Sequence, residues 1–214
     1  HINDCTLGNF KDETSKRAFK KAFQTADQVI CIANYMKKAF EKTFNREAVV
    51  IRSGHPVPQL TLEKTDPPLI LWISRIKPAW KQPRLFVNLV ERLQDTKAQF
   101  VLIGPEYPPV SSFLWEQATR LPNFTYIPGV RQGEDDTWYE RASVLVNTST
   151  KEGYPNTFIQ SWLRKTPTVS LNVDPDCDIC HNKLGFHSKT FDNLVNDVRY
   201  LIENETERQS IGER

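Results

Sequence analysis

From residue 69 onward, short apolar runs alternate with amphipathic stretches, and this alternation constrains the fold more than any other feature. Strands separated by helices in this rhythm build parallel βαβ units with right-handed crossovers. The strand-like runs are almost entirely apolar, as expected for a sheet that helices cover on both faces. The sequence therefore predicts an α/β fold with a Rossmann-like, doubly wound parallel sheet. The predicted strands are 69–73, 99–103, 124–127, 144–146 and 168–171; the predicted helices are 83–93, 111–120, 135–141, 158–163, 191–202 and one from 205; a polar loop covers 172–185.

The first 68 residues follow a looser pattern. Apolar and polar side chains at helical spacing predict two helices, the second with Asn34 as its N-cap. Short apolar runs predict two strands, and a loop and a polar linker lead into the alternating region. These elements are helices at 11–23 and 34–44, strands at 28–32 and 48–51, a loop at 52–58 and a linker at 59–68.

Charge and composition exclude several function classes. The 214 residues include 28 basic and 26 acidic side chains, a formal net charge of +2. This balance lacks the electrostatic footprint of a nucleic-acid-binding protein. No apolar run approaches the length of a membrane span, and four cysteines in such a chain do not form a disulfide scaffold. With no signal-peptide pattern at its start, we expect a cytoplasmic protein.

The first helix carries a basic face, formed by Lys16, Arg17, Lys20 and Lys21. A run of this kind is most often a solvated helix face, and we favour that interpretation. Contact with the anionic inner face of a membrane stays open as an alternative for the full-length protein.

Basic residues follow the first strand of the alternation. Ser74 and Arg75 come directly after the apolar run that ends at Ile73, and Lys81 precedes a predicted helix. Two cations beside a helix N-terminus suit a diphosphate, because Arg supplies a planar fork and Lys a compact charge. Taken alone, the pair is more typical of ordinary surface residues.

Two later strand ends also carry residues suited to a ligand. Gly129 follows the strand that ends at Ile127, and a glycine lets the backbone approach a nucleobase closely. Glu152 and Gly153 lie where a buried strand gives way to a helix whose first amide belongs to Asn156. Each feature alone is equally typical of a turn. Because open α/β sheets bind ligands at the carboxyl ends of strands, the agreement of three strand ends predicts one site.

A cysteine motif, Cys177-Asp178-Ile179-Cys180-His181, follows the last predicted strand. Its spacing matches c-type haem attachment, which requires export, and together with His187 it suggests zinc. Zinc sites usually have a better spaced second pair of ligands. We therefore expect neither haem nor a metal.

The order of the strand-end motifs resembles the C-terminal half of glycosyltransferase family 4, whose members are retaining enzymes of the GT-B fold. Residues 28–58 also resemble the junction between the two domains of that family. Each motif is loose alone, but their order and spacing cover nearly the whole chain. The motifs are Trp72-Ile73-Ser74-Arg75 with Lys81, Val101-Leu102-Ile103-Gly104, Tyr126-Ile127-Pro128-Gly129-Val130, Val144-Leu145-Val146-Asn147-Thr148-Ser149, Glu152-Gly153-Tyr154-Pro155 with Gln160, and Lys165-Thr166-Pro167-Thr168-Val169.

The resemblance implies a role for each matching residue. Arg75 and Lys81 match the basic pair that holds the donor diphosphate and stabilises the leaving nucleotide. Glu152 matches the first acid of a Glu-x7-Glu motif and contacts the transferred sugar, which makes these three the implied catalytic residues. Gln160 stands where the second acid grips the ribose hydroxyls. The other implied donor-binding residues are Ser74, Gly129, Val130, Gly153, Tyr154, Pro155, Asn156, Thr157 and Phe158.

Two departures from the family pattern affect this site. Gln160 offers one acceptor oxygen where a carboxylate offers two, so we expect weaker or rearranged ribose binding. Ser74 replaces the usual glycine before the arginine, and Gln82-Pro83 stands where a glycine often follows the lysine. Both changes narrow the phosphate loop.

A GT-B enzyme has its active site between two domains, and this chain lacks most of the first. We expect residues 1–46 to be the trailing segment of a missing N-terminal domain and 47–214 to be the donor-binding domain. The implied donor is a UDP- or GDP-linked sugar, with no metal and no further cofactor, and the missing domain carries a glycan or lipid-linked acceptor. The fragment alone should be inactive. A non-catalytic sugar-nucleotide-binding module, supported by Gln160, stays open; a dinucleotide enzyme is disfavoured because no Gly-x-Gly-x-x-Gly follows a strand.

Overall fold

A computed structural model describes residues 12–131 and 133–214. Its contacts divide the chain into a smaller unit, which ends at residue 54 and also includes 152–155, and a larger unit of 55–151 and 156–214. The predicted division after residue 46 stays a prediction.

The smaller unit contains two helices and a two-stranded parallel sheet. Its elements are α1 (Glu13–Thr25), β1 (Ile30–Cys31), α2 (Asn34–Phe44) and β2 (Val49–Val50). Packed aromatic rings join α1 to α2, with Phe23 5.1 Å from both Phe40 and Phe44. The predicted cap of α2 is wrong: Ala33, in an extended conformation, is the N-cap, and Asn34 is already the first helical residue. The part of the predicted first helix that falls on residue 11 lies outside the described residues.

The larger unit is built on a six-stranded sheet in which every neighbouring pair is parallel, in the order β5-β4-β3-β6-β7-β8. Helices cover it, which confirms the predicted α/β fold. Its strands are β3 (Leu69–Ile73), β4 (Gln99–Ile103), β5 (Phe124–Ile127), β6 (Val144–Asn147), β7 (Thr168–Ser170) and β8 (Gly185–His187). Its helices are α3 (Pro78–Lys81), α4 (Pro83–Arg92), α5 (Val110–Arg120), α6 (Asp135–Arg141), α7 (Asn156–Trp162), α8 (Asp178–His181), α9 (Phe191–Glu203) and α10 (Glu205–Gly212).

Two apolar cores lie on the two faces of this sheet. Successive side chains of a strand point to opposite faces, so Ile70 and Trp72 belong to one core, with residues of α4, α5 and α9. Leu69 and Leu71 belong to the other core, with residues of α6 and α7. The almost continuous apolar character of β3 follows directly from this double burial. Along 12–131 and 133–214, none of the helices has the length and apolar character needed to span a membrane.

The predicted loop over 172–185 is the main error in secondary structure. The segment contains a short 3₁₀ turn (Pro175–Cys177), helix α8 and the start of β8, which extends the sheet beyond β7. Gly185 has φ = +142°, and a Cβ there would meet the carbonyl oxygen of Thr168 at 1.9 Å. A strand of three residues that begins with glycine has too little periodicity to be recognised, and only its pairing with β7 defines it.

Buried polar contacts hold the linker before β3. The ammonium group of Lys64 donates to the carbonyl of Arg164 at 2.8 Å and to the hydroxyl of Thr166 at 2.6 Å. Burial lowers the pKa of Lys64 to about 7, and the nearby Glu140 carboxylate opposes that shift.

Candidate functional site

The sheet has a topological switch point between β3 and β6. From β3 the chain adds β4 and β5 on one side, and then returns to place β6, β7 and β8 on the other. Ligands of open α/β sheets bind outside the carboxyl ends of the strands at such a point. The residues that follow β3 and β6 are therefore the candidate site within the larger unit.

The loop after β3 carries the predicted basic pair. The amide of Ser74 donates to the carbonyl of Ile103 at 3.0 Å, which continues the pairing of β3 with β4 past the end of the strand. Arg75 is exposed at this point, whereas the next residue, Ile76, is buried in the core. Lys81 is the last residue of the four-residue helix α3 and is half-buried. The buried side chain of Ile76 fixes the backbone of the loop, whereas the guanidinium group of Arg75 stays in solvent.

A buried threonine ties α3 to the carboxyl end of β6. The hydroxyl of Thr148 accepts from the indole nitrogen of Trp72 at 2.9 Å and lies 2.7 Å from the carbonyl oxygen of Lys81, to which it donates. The amide of Thr150 donates to the carbonyl of Trp80 at 2.8 Å. The backbone that carries Lys81 is thus attached to both strands at the switch point.

The same contacts set the start of α4. Gln82 adopts a left-handed conformation (φ = 47°) between α3 and α4, and Pro83 occupies the first turn of α4. The side chain of Gln82 makes no capping hydrogen bond to this helix. The first amides of a helix carry partial positive charge and suit an anion. Pro83 has no N–H group, and the amide of Leu85 donates to the carbonyl of Gln82 at 3.0 Å, so the candidate donor at this helix end is the amide of Arg84.

Two glycines shape the neighbouring strand ends. A Cβ on Gly104, just after β4, would meet the carbonyl oxygen of Ser74 at 2.5 Å, so only glycine lets these strand ends approach so closely. The hydroxyl of Tyr126 donates to the carbonyl of Gly104 at 3.1 Å, and burial followed by the charge of Glu106 raises the pKa of that phenol. Gly129, after β5, has φ = +113°, a conformation that side chains disfavour.

Gln160 on α7 is held by a neighbouring arginine. The guanidinium of Arg164 donates to the side-chain oxygen of Gln160 at 2.8 Å and to Asp136 at 2.6 Å. Arg164 is only 5% exposed. The acceptor oxygen of Gln160 is therefore engaged within the protein, and its amide NH2 group is the part suited to an outside partner.

The segment between β6 and α7 in the chain clusters with the smaller unit. The hydroxyl of Tyr35 lies 2.8 Å from the carbonyl oxygen of Glu152 and 3.1 Å from that of Gly153. The guanidinium of Arg52 stacks over the ring of Tyr154 at 4.6 Å. These contacts order the backbone around Glu152, whose side chain is half-buried.

The sequence matches the model of the family "Glycosyl transferases group 1" over residues 67–204. The chain belongs to this glycosyltransferase family. It is 22% identical over 200 residues to an uncharacterised glycosyltransferase of Methanocaldococcus jannaschii, a match that covers 91% of this chain and 55% of the relative.

Solved structures agree on the fold. A TarM variant from S. aureus, in complex with fondaparinux, alpha-GlcNAc-glycerol and UDP, superposes with a TM-score of 0.79 and 17% identity over 96% of this chain and 43% of that one. HepE of Anabaena, in complex with UDP and glucose, gives a TM-score of 0.75 and 18% identity over 99% of this chain and 64% of that one. The larger unit thus has the Rossmann-like fold of GT-B glycosyltransferases, and the chain spans about half the length of the relatives that it matches.

In this member of the family, the predicted residues fall into two groups. Ser74, Arg75, Lys81, Gly129 and Val130 all follow the carboxyl ends of parallel strands of one sheet. Asn156 and Thr157 begin α7, and the buried ring of Phe158 packs in the core, which leaves only its backbone for a ligand. The residues that belong to the smaller unit are Glu152, Gly153, Tyr154 and Pro155.

Sequence reasoning missed two residues that shape the site. Thr148 is fully buried and joins three backbone and side-chain groups, but its partners are 66 to 76 residues away in the chain. In the sequence, both Thr148 and Gly104 are identified only as parts of strand-end motifs. A polar residue directly after an apolar strand is a weak signal for such a role, because most are solvated.

Proposed function

We propose that this chain is the donor-binding half of a retaining glycosyltransferase, which transfers a hexose from a nucleoside-diphosphate sugar to a glycan or lipid-linked acceptor. One observation carries the proposal: Thr148 attaches the backbone of the Arg75–Lys81 loop to both strands of the switch point. A loop held in this way presents its cations in one place before the donor arrives, which lowers the cost of ordering on binding. Two relatives of the same fold were solved with UDP, one of them with glucose.

The chemistry needs positive charge at the leaving group. When the sugar departs, negative charge develops on the nucleoside diphosphate, and fixed cations stabilise that charge most where water is excluded. Arg75 offers a fork for two phosphate oxygens and Lys81 a compact charge. The amide of Arg84 at the start of α4 adds a donor. In this proposal the two side chains do the work that a divalent metal does in other transferases, and no cofactor takes part.

The remaining predicted residues complete the donor contacts. Gly129 and Val130 form the wall for the base, and the NH2 group of Gln160 donates to a ribose oxygen. Backbone amides around Tyr154 to Thr157 hold sugar hydroxyls and phosphate oxygens. Glu152 contacts the transferred sugar, so Glu152→Ala should abolish transfer in the full-length enzyme; an active Glu152→Ala enzyme would refute that role.

A non-catalytic sugar-nucleotide-binding module is the second candidate. It is favoured by Gln160, whose oxygen already accepts from Arg164 and so does not replace the acid of the family motif. The two candidates share donor binding and differ in turnover. A full-length protein that binds the donor and transfers no sugar to any acceptor tested would favour the module.

Isothermal titration calorimetry of the chain with UDP and with GDP tests the shared step. We expect binding of one of the two, weakened about 10- to 100-fold by Arg75→Ala or Lys81→Ala, the range for one lost charged hydrogen bond of about 1.5–3 kcal/mol. Lys97→Ala is the matched control. This exposed lysine precedes β4 and so lies at the amino-terminal end of that strand, whereas the candidate site lies at the carboxyl ends. No heat with either nucleotide from folded protein would overturn the donor site.

A further inference from the structure

Three side chains meet where the chain passes from β7 to β8, and only one of them, Cys180, belongs to the cysteine motif. One ligand atom each of Asp174, Cys180 and His187 lies within 4.8 Å of the others. Asp174 follows β7, Cys180 lies on α8, and His187 ends β8. The cluster lies on β7, β8 and their connection, which come after β6 in the order of the sheet.

Backbone contacts fix the positions of all three residues. The carboxylate of Asp174 accepts from the amide of Ile179 at 2.8 Å and from that of Cys180 at 3.2 Å, which orients it at the start of α8. Ile179 is fully buried and anchors this helix in the core. His187 pairs in register with Ser170 of β7. The cluster is therefore set by the fold.

We propose that Asp174, Cys180 and His187 bind a Zn²⁺ ion. Thiolate, imidazole and carboxylate are the three ligand types that zinc takes in proteins, and imidazole with thiolate favours zinc over magnesium or calcium. Ligand atoms of a tetrahedral zinc site lie about 3.3–3.8 Å apart, as follows from bonds of about 2.0–2.3 Å. The three ligand atoms lie within 4.8 Å of one another, so they must approach by about 1 Å to bind the ion. Rotation of the side chains can supply this movement.

The fourth position of the tetrahedron is open to water or to Cys177. Cys177 precedes Cys180 by three residues, is exposed, and has left-handed backbone geometry (φ = 60°), as does Asp176 before it (φ = 56°). Two successive non-glycine residues in this conformation are uncommon and tend to occur at functional sites. The ion would attach α8 and the edge strand β8 to the loop after β7.

A hydrogen bond is the competing explanation for the cluster. Partial burial, followed by the neighbouring Asp174 carboxylate, raises the pKa of the Cys180 thiol, which can then donate to that carboxylate. This arrangement holds without any ion and binds none. Metal titration separates the two explanations.

The histidines provide a matched pair for the test. The sequence motif alone points to His181, directly after Cys180, but His181 is exposed and is not one of the three residues of the cluster. His187, which is six residues further on, takes that place. In the proposed site, zinc affinity depends on His187 and does not depend on His181.

The experiment titrates the reduced, demetallated chain with Zn²⁺ against a chromophoric chelator and follows thermal unfolding in parallel. We expect one ion per chain and a higher melting temperature with zinc, since a ligand that binds the folded state stabilises it. The affinity for zinc should fall at least about tenfold in His187→Ala and in Cys180→Ser, because even the loss of a residue that only hydrogen-bonds a metal ligand costs about that much. In His181→Ala the affinity should stay within about twofold of the wild type. With Co²⁺, a thiolate charge-transfer band should appear and be lost in Cys180→Ser.

Three results would overturn the proposal. They are the absence of zinc binding by folded chain, binding that His187→Ala leaves intact, and binding that His181→Ala abolishes. Circular dichroism of each variant establishes folding, and Cys180→Ser keeps the size of the side chain, so that a folded comparison exists even where an alanine variant fails.

Discussion

The switch point and the β7–β8 edge of the same sheet differ in how they arrange their polar atoms and in how deeply they bury them: Thr148 is fully buried, whereas Cys180 is exposed. At the switch point, donors meet acceptors: the indole of Trp72 donates to Thr148, whose hydroxyl donates to the carbonyl of Lys81. At the edge, the atoms of Asp174, Cys180 and His187 that converge are those suited to a cation. The first arrangement is complete within the protein, whereas the second becomes complete when an ion binds.

This difference has consequences for ligand binding. A satisfied network in a low-dielectric interior is rigid and costly to break, so the switch-point loop is held before a nucleotide arrives. Acceptor atoms that converge repel one another unless a proton or a cation lies between them. Binding of the sugar nucleotide should therefore depend on the contacts that hold the loop as well as on Arg75 and Lys81. Binding of zinc should depend on the ligand atoms themselves.

Thr148→Val is the strongest test of the switch-point network. The change keeps the shape of the side chain but leaves the buried indole N–H of Trp72 without its acceptor, which costs about 1–3 kcal/mol. We expect that loss in urea unfolding, together with weaker nucleotide binding and unchanged zinc affinity.

The double variant Thr148→Val/Trp72→Phe sharpens the same comparison. Replacing both partners by apolar groups removes the unpaired donor, so the free-energy losses should be less than additive. Additive losses would mean that the hydrogen bond does not couple the two residues.

Gly104→Ala tests how tightly the strand ends pack. The added Cβ would lie 2.5 Å from the carbonyl oxygen of Ser74, a backbone atom, so the loop after β3 must move. Overpacking of this kind costs about 1–3 kcal/mol, and the displaced loop should bind nucleotide less tightly. Gly54→Ala is the control, because a Cβ there meets nothing within 4 Å. Equal effects of the two substitutions on nucleotide affinity would contradict the assigned role of Gly104.

Lys64 provides a reference for both regions, since its half-buried ammonium group has hydrogen-bond partners within the protein. Burial lowers its pKa from 10.5 to about 7, so between these values the unfolded chain binds more protons than the folded one. The contribution to stability should therefore rise with pH through this window, by at most about 1.4 kcal/mol per pH unit, and be lost as pH falls to 7. Chemical unfolding at pH 7.5 and 9 should show this rise in the wild type and a flatter response in Lys64→Met. Parallel pH responses of the wild type and Lys64→Met would contradict the link between the lowered pKa of Lys64 and stability.

The sheet was predictable because its signal is local. The apolar runs at 69–73, 99–103 and 124–127 coincide with β3, β4 and β5, and helix α6 has its predicted bounds, 135–141. Burial on both faces makes every position of a central strand apolar, so the pattern is visible without knowledge of its neighbours. The strand ends that carry Arg75 and Gly129 followed from the same reasoning.

The amino-acid sequence by itself determined the α/β class, the order of strands and helices, and the group 1 glycosyltransferase motifs, because each depends on residues close together in the chain. Only the tertiary structure decided that Thr148 attaches the Lys81 loop, that β8 joins the sheet, and that Asp174 and His187 meet Cys180. Thr148 reaches its partners across 66 to 76 residues, and β8 is a strand only through its pairing with β7. Contacts of this kind arise from packing, which brings distant residues together and leaves no periodic pattern in the chain.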